Sequence, residues 1–563
     1  MQKLPVGLSD FKELIAGNYY YVDKSLLIKE VIDQSAIAML LPRPRRFGKT
    51  LNLSMLRYFF EKTEDDRSRF FRHLKIWQTG DEYTSRQGKY PVIYLTFKDV
   101  KEKDWKSALR KIKRLIQAEF TRHKYLRESK AWEKEEREYY AGIRGLRAEQ
   151  SDYEDSLKQL SDHLSRYHDQ RVILLIDEYD TPIQAGYLNG YYAEVVSFMR
   201  NFLSGGLKDN PHLEKGVLTG IMRVAKESIF SGLNNLGVFT LLSHSFADKF
   251  GLTEPEVKQM LQDFHAEADE QAVNQWYNGY RFGETVIYNP WSLLNYLSNR
   301  ADGFKPYWLN TADNTLIEKL LTRGGKELQA ELESLIKGES VEKPIEENIV
   351  FSALEKKEDS HWSFLLFSGY LKYQSKRADA FDPAKLLCRL VIPNQEVRSF
   401  YIDVVKQWFA GRLENKKVQA MLQALIKGEV KTFERFLREM VADIFSYHNF
   451  GKDSEKVYQA FVIGLLVWLA GEYEVKSDRE SGYGRSDVMI IPRDAARIGY
   501  VIEFKKIDAY DKETLEIAAA KAFTQINERN YAAELLNRGI ANVKQLAVVF
   551  KGKQVWVKEQ TGA

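Results

Sequence analysis

One short stretch constrains this chain more than any other. The apolar run Ala36–Leu41 leads into Arg43-Pro44-Arg45-Arg46-Phe47-Gly48-Lys49-Thr50, and apolar residues then recur at Leu51, Leu53, Leu56 and Phe59. That succession reads as strand, loop and helix. Gly48 allows a tight backbone wrap, Lys49 carries an ammonium group and Thr50 a hydroxyl. These are the parts of a loop that cradles phosphates, with the lysine reaching the β and γ phosphates and the hydroxyl holding magnesium. The usual spacing has another glycine where this chain has Arg43, so Pro42 and Pro44 are expected to hold the loop entry extended.

Further along, Ile173-Leu174-Leu175-Ile176 ends in Asp177-Glu178. The apolar run suits a strand buried on both faces. In this Walker B arrangement Asp177 serves the magnesium ion and Glu178 polarises the attacking water. Lys215–Ile221 reads as another strand, with Thr219 placed for a polar contact to the γ-phosphate or to water. Arg223 follows, either as a phosphate sensor or as a structural partner of Glu227 one helical turn on. Pro91–Phe97 adds a strand and Trp105–His168 reads as charged helices, so the expected core is a P-loop NTPase parallel sheet.

Several of these segments, taken in order, resemble a known family. Tyr21-Val22-Asp23-Lys24-Ser25, the loop from Arg43 to Thr50, the segment from Leu175 to Pro182, Thr219-Gly220-Ile221 and the segment from Phe230 to Asn235 are similar to the AAA-ATPase-like family of bacterial and archaeal proteins. Members typically carry a C-terminal PD-(D/E)XK nuclease-superfamily domain. The resemblance makes the loop arginine a family trait. It also implies ATP and Mg2+ as cofactors, with Gly48, Lys49, Thr50, Asp177, Thr219 and Arg223 around the nucleotide, and it alone supports a homo-oligomer.

The last fifth of the chain has its own pattern. An amphipathic helix from Asp453 to Ala470 precedes strands near Glu472–Ser477, Arg485–Ile491 and Gly499–Lys505, a helix from Lys512 to Leu536 and a strand at Gln545–Phe550. This αβββαβ order is that of a restriction-endonuclease-like domain. Alternation along a strand puts Glu503 and Lys505 on one face and Phe504 on the other. A hairpin of the neighbouring strands brings Asp487 beside Glu503. Two carboxylates suit Mg2+, and Lys505 can orient or deprotonate a water. Gln525 matches the superfamily's accessory glutamine, Glu455 is a candidate to complete the metal shell, and Lys476, Arg479, Arg485, Lys505 and Lys506 with Tyr483 and Tyr500 suit a phosphate backbone.

At 563 residues the chain exceeds one hydrophobic core. Three domains are expected: 1–232, the AAA-like ATPase core; 233–440, a mainly helical middle region with a winged-helix-like or helical element near Trp362–Tyr373; and 441–563, the nuclease-like domain. The charged run Glu355–Asp359 marks a solvated connection. A hydrophobic share of 44% excludes global disorder, and a net charge of +4 leaves nucleic-acid affinity to local patches. Cys388, the single cysteine, sits among leucines and is expected to be a buried thiol. With no signal-peptide pattern at Met1–Ser9 and no apolar run longer than Phe461–Ala470, a cytoplasmic protein without a membrane partner is expected.

Two functions of different class follow. One is an enzyme in which ATP binding or hydrolysis licenses Mg-dependent cleavage of nucleic acid, DNA first; the family resemblance alone implies a role in defence or mobile-element biology. The other is a nucleotide-sensing switch whose nuclease-like domain only binds nucleic acid or protein. Intact Asp487, Glu503 and Lys505 favour the enzyme. A metabolic kinase is disfavoured by Glu178, which suits water activation.

Overall fold

The computed structural model describes residues 2–129, 132–223, 235–309, 315–323, 326–336, 338–348, 358–410, 415–445, 469, 472–477, 487–507, 513–528, 535–551 and 554–561. The chain divides into two compact units, residues 1–320 with 340–398, and residues 321–339 with 399–563.

The first unit is built on five parallel strands: β1 (Ala38–Pro42), β2 (Val92–Thr96), β3 (Val172–Asp177), β4 (Leu213–Gly220) and β5 (Leu236–Val238). Their order across the sheet is β2-β3-β4-β1-β5. Every residue of β1 and β3 is buried, which is why both read as unbroken apolar runs. Helices such as Lys49–Phe60, Trp105–Arg122 and Tyr192–Leu207 accompany the strands. β4 lies between β1 and β3, pairing Leu41 with Thr219 on one side and Ile176 with Leu218 on the other. The ends of β1, β3 and β4 therefore converge at one edge of the sheet.

The rest of this unit is mainly helical and carries two small sheets that periodicity did not reveal. β6 (Leu252–Thr253), β7 (Tyr280–Phe282) and β8 (Thr285–Tyr288) are ordered β6-β8-β7; β9 (Val341–Ile345), β10 (Lys372–Ala378) and β11 (Leu386–Val391) are ordered β10-β11-β9. β6 and β7, of two and three residues, are too short to establish an alternating pattern. Asn289 caps the helix Pro290–Ser298 by accepting from the Trp291 and Ser292 amides. The helix Glu358–Ser368 ends at Gly369, whose φ of 90° suits glycine, and the chain turns into β10. Residues 355–357 of the charged run lie outside the described residues, while Glu358 and Asp359 open that helix. Cys388 is fully buried, and burial pushes its thiol up to about 11.

The second unit contains β12 (Tyr473–Ser477), β13 (Asp487–Pro492), β14 (Gly499–Lys506), the helix Leu515–Glu528, β15 (Val543–Lys551) and β16 (Gln554–Thr561). The sheet order follows the chain, with β14 and β15 parallel and the other pairs antiparallel. β16 extends the expected αβββαβ order by one strand. Its residues alternate through Val555 and Val557, both buried. The expected helix from Asp453 to Ala470 lies outside the described residues apart from Leu469. Among the described residues no helix is long and apolar enough to cross a membrane.

Candidate active sites

The loop between β1 and the helix Lys49–Phe60 turns through two left-handed residues, Arg46 at φ 68° and Gly48 at φ 84°. Gly48 is the helix N-cap and offers no capping side chain, which leaves the first amides of a twelve-residue helix to an anion. Lys49 is buried and donates from Nζ to the carbonyls of Arg43 at 3.0 Å and Pro44 at 3.1 Å. Burial pulls its pKa down, while Glu178, Asp177 and Asp180 act to restore it.

Opposite the loop, Asp177 is completely buried at the end of β3 and gathers hydroxyl donors. Thr50 Oγ1 donates to Oδ2 at 2.8 Å, Thr219 Oγ1 to Oδ1 at 2.7 Å, and Thr96 Oγ1 to Oδ2 at 3.3 Å. Burial raises the Asp177 pKa, and the bonds from Thr219 and Thr50 oppose the rise. Thr219 thus acts on the site by orienting Asp177, and it also accepts from the Glu178 amide at 3.4 Å. Glu178 holds a φ of 50°, unusual for a residue with a side chain, and accepts from Thr181 Oγ1 at 3.2 Å. Such strain is characteristic of positions held for chemistry. Asp180 is committed elsewhere: its Oδ2 accepts from the amides of Ile221 and Met222 at 2.8 and 3.1 Å, and burial pushes its pKa up to about 6. Arg223 follows that pinned segment and is half-buried, while Glu227 lies outside the described residues.

Arg43, which replaces the loop glycine, points away from the phosphate side. Its guanidinium is fully buried, donates to the carbonyls of Pro42, Phe239 and Phe246 at 2.8, 2.7 and 3.2 Å, and lies near the rings of Phe250 and Phe282. A glycine makes none of these bonds. Beside the loop, a mostly apolar pocket of about 90 Å³ is lined by Tyr20, Tyr21 and Val22, by Phe47, Gly48 and Leu51, and by Met260, Pro290 and Leu294.

In the second unit, β13 and β14 pair with Asp487 directly opposite Glu503. Glu503 is 1% exposed. Its Oε1 accepts from Lys505 Nζ at 2.7 Å, and the same ammonium donates to Gln525 Oε1 from the helix Leu515–Glu528. Glu503 Oε2 is buried with no hydrogen-bond partner among the described residues. Strand alternation puts Glu503 and Lys505 on one face, and the helix crossing that face delivers Gln525.

Residues 5–230 match the family described as predicted AAA-ATPase, and residues 453–560 match the PD-(D/E)XK nuclease superfamily. The chain joins a predicted AAA-ATPase domain to a PD-(D/E)XK nuclease-superfamily domain. It is also similar to an uncharacterized protein in the vnfD 5' region of Azotobacter chroococcum mcd 1, 25% identical over 548 residues, which cover 96% of this chain and 94% of the relative. No solved structure matches.

The donors present fit a divalent cation in both domains. In the AAA-ATPase domain they are the hard oxygens of Thr50 and Asp177. In the nuclease-superfamily domain, a buried carboxylate oxygen without a partner at Glu503 is what a cation ligand looks like. The structure brings together Gly48, Lys49, Thr50, Asp177, Glu178 and Thr219 in one domain, and Glu503, Lys505 and Gln525 in the other, with Asp487 in register. Glu455, Arg479, Tyr483 and Arg485 lie outside the described residues. The segment Tyr21-Val22-Asp23-Lys24-Ser25 is the sequence signal for the pocket beside Phe47. Tyr21 and Val22 line the pocket, while Asp23 accepts from the Lys75 amide and Lys24 pairs with Glu256 at 2.6 Å, bracing that wall.

Proposed function

We propose that this protein binds and hydrolyses ATP in its AAA-ATPase domain and cleaves nucleic acid, DNA first, with Mg2+ in its nuclease-superfamily domain. The observation that carries the cleavage reading is the buried Glu503 carboxylate, opposite Asp487, with one oxygen held by Lys505 and the other unpartnered. A binding module has no need of that arrangement, and burying an unpartnered polar atom costs about 1–3 kcal/mol. A divalent cation held by Asp487 and Glu503 would neutralise charge on the scissile phosphate. Lys505, held by Glu503 and Gln525, orients the attacking water as a charged donor.

In the AAA-ATPase domain Lys49 neutralises the β and γ phosphates, Thr50 and Asp177 supply oxygens for magnesium, and Glu178 orients water. The apolar pocket beside Gly48 receives the base. Whether the protein works as a homo-oligomer, as the family resemblance implies, is measured by its mass in solution with and without nucleotide.

The test is incubation of the full chain with plasmid, linear duplex, single-stranded DNA and RNA, each with Mg2+ or Mn2+ and with or without ATP. Cleavage lost in Asp487→Ala and Glu503→Ala, but accompanied by unchanged ATP binding, supports the reading. No cleavage under any condition, together with no metal binding at Glu503, transfers the assignment to the nucleotide-sensing switch.

A further inference from the structure

The phosphate loop contains three arginines, and two are committed. Arg43 is stapled to backbone carbonyls, and Arg45 donates to Gln184 Oε1 at 3.0 Å. Arg46 differs from both. It is exposed, makes no hydrogen bond or ion pair among the described residues, and rests with its guanidinium 4.2 Å from the ring centre of Trp291. Trp291 stands in the first turn of the helix Pro290–Ser298, where its indole donates to the Tyr307 carbonyl at 3.2 Å. The same helix supplies Pro290 and Leu294 to the pocket beside Gly48.

Two features argue against an idle surface arginine. Its φ of 68° costs about 1–2 kcal/mol for a residue with a Cβ, which glycine would avoid. The loop also puts it two residues before Gly48, in range of the electrostatic attraction of Glu178. An exposed cation–π contact is worth about 0.5–1 kcal/mol, whereas charge-assisted bidentate bonds from arginine to phosphate are among the strongest a side chain makes. A terminal phosphate therefore outcompetes the indole.

Resting on the nucleotide reading above, we propose that Arg46 is an arginine finger carried by the phosphate loop itself: it parks on Trp291 and moves to the terminal phosphate of a bound nucleoside triphosphate, releasing the helix Pro290–Ser298. In hydrolysis the water oxygen forms a bond to the terminal phosphorus. The bond to the bridging oxygen breaks with its electron pair on the departing diphosphate, and the proton of water passes toward Glu178. Arg46 exchanges no proton; it stabilises charge gathering on the transferred group.

The experiment compares wild type, Arg46→Ala, Arg46→Lys and Arg46→Gly in the full chain. Glycine relieves the left-handed backbone and so controls for folding. Calorimetry with ADP and with a slowly hydrolysed ATP analogue is the deciding readout: the triphosphate-to-diphosphate affinity ratio is expected to fall about tenfold or more in all three variants, while ADP affinity holds within about twofold. Lysine fails because it lacks the planar fork. Turnover should drop about 10³-fold, with KM rising in step with the weakened triphosphate affinity. The fluorescence difference between wild type and Trp291→Phe should change with the triphosphate and not with ADP, a signal that a purely structural arginine would not give. An unchanged affinity ratio in Arg46→Gly overturns the proposal while leaving the nucleotide site intact. Wild type that binds neither nucleotide overturns the nucleotide reading and this proposal together.

Discussion

Replacing Glu503 by glutamine should make the metal-free protein more stable and the metal-loaded protein less so. Glu503 is 1% exposed, with Oε1 held by Lys505 and Oε2 unpartnered. A buried, unpartnered acceptor costs about 1–3 kcal/mol, more when charged. The amide keeps the shape and removes the charge. Against this stands the lost ion pair to Lys505, whose side chain is 18% exposed and which keeps its bond to Gln525. The net expectation is a gain of about 1 kcal/mol without metal, or roughly 2–4 °C for a domain of this size. With Mn2+ at about a hundred times its dissociation constant, wild type gains about 2.7 kcal/mol by mass action and the variant little. The two melting curves should therefore change order across a metal titration, with cleavage lost in the variant. The assay is thermal unfolding of the full chain, without metal and with rising Mn2+. A variant that melts below wild type without metal, or that gains as much from Mn2+, would refute the assignment of Glu503 as a metal ligand.

Three further outcomes follow from the first unit. Glu178→Gln should bind ATP as wild type does and release phosphate about 10²–10⁴-fold more slowly, measured in steady state; an unchanged rate moves the water-activating role to another group. Restoring the loop glycine by Arg43→Gly should destabilise the protein by roughly 2–4 kcal/mol, because the carbonyls of Phe239 and Phe246 lose a charged donor; thermal unfolding at wild-type temperature would exclude the staple. Glu396, fully buried and accepting from Ser292 Oγ and the Trp308 amide, has its pKa pushed by burial from 4.5 to about 7. The folded state then holds the proton more tightly than the unfolded one, so its stabilisation is complete below pH 4.5. It is lost as pH rises to 7, by about 3 kcal/mol. Urea unfolding against pH should show that loss, and Glu396→Gln should flatten it.

The parts legible in the sequence were those in which local chemistry and periodicity agree. β1 and β3 are buried on both faces, so their apolar runs and the carboxylates that end β3 were visible, and alternation in β14 placed Glu503 and Lys505 on one face. Other parts depend on contacts distant in sequence. That β4 separates β1 from β3, and that Thr219 consequently serves Asp177, is a property of strand order that pattern does not encode. The partners of Arg43 lie some two hundred residues away at Phe239 and Phe246, so the loop's departure from the glycine pattern could not be explained locally. β16 went unread because its short alternating run lies at the chain end without a partner visible in the sequence.

The staple formed by Arg43 also has an entropic consequence. A glycine-rich loop samples many backbone states and must surrender them when phosphates bind, at about 1–2 kcal/mol for each residue fixed. Here the loop entry is already fixed, by Arg43 to Phe239 and Phe246, by the Gly251 amide to the Phe47 carbonyl, and by the Phe47 ring against Tyr280 and Phe282. Much of the ordering is therefore completed when the chain folds rather than when ligand arrives, which leaves more of the intrinsic contact energy for affinity. The same fastening joins the loop mechanically to residues 239–282, so amides of 45–48 and of 239–251 should exchange their hydrogens in step.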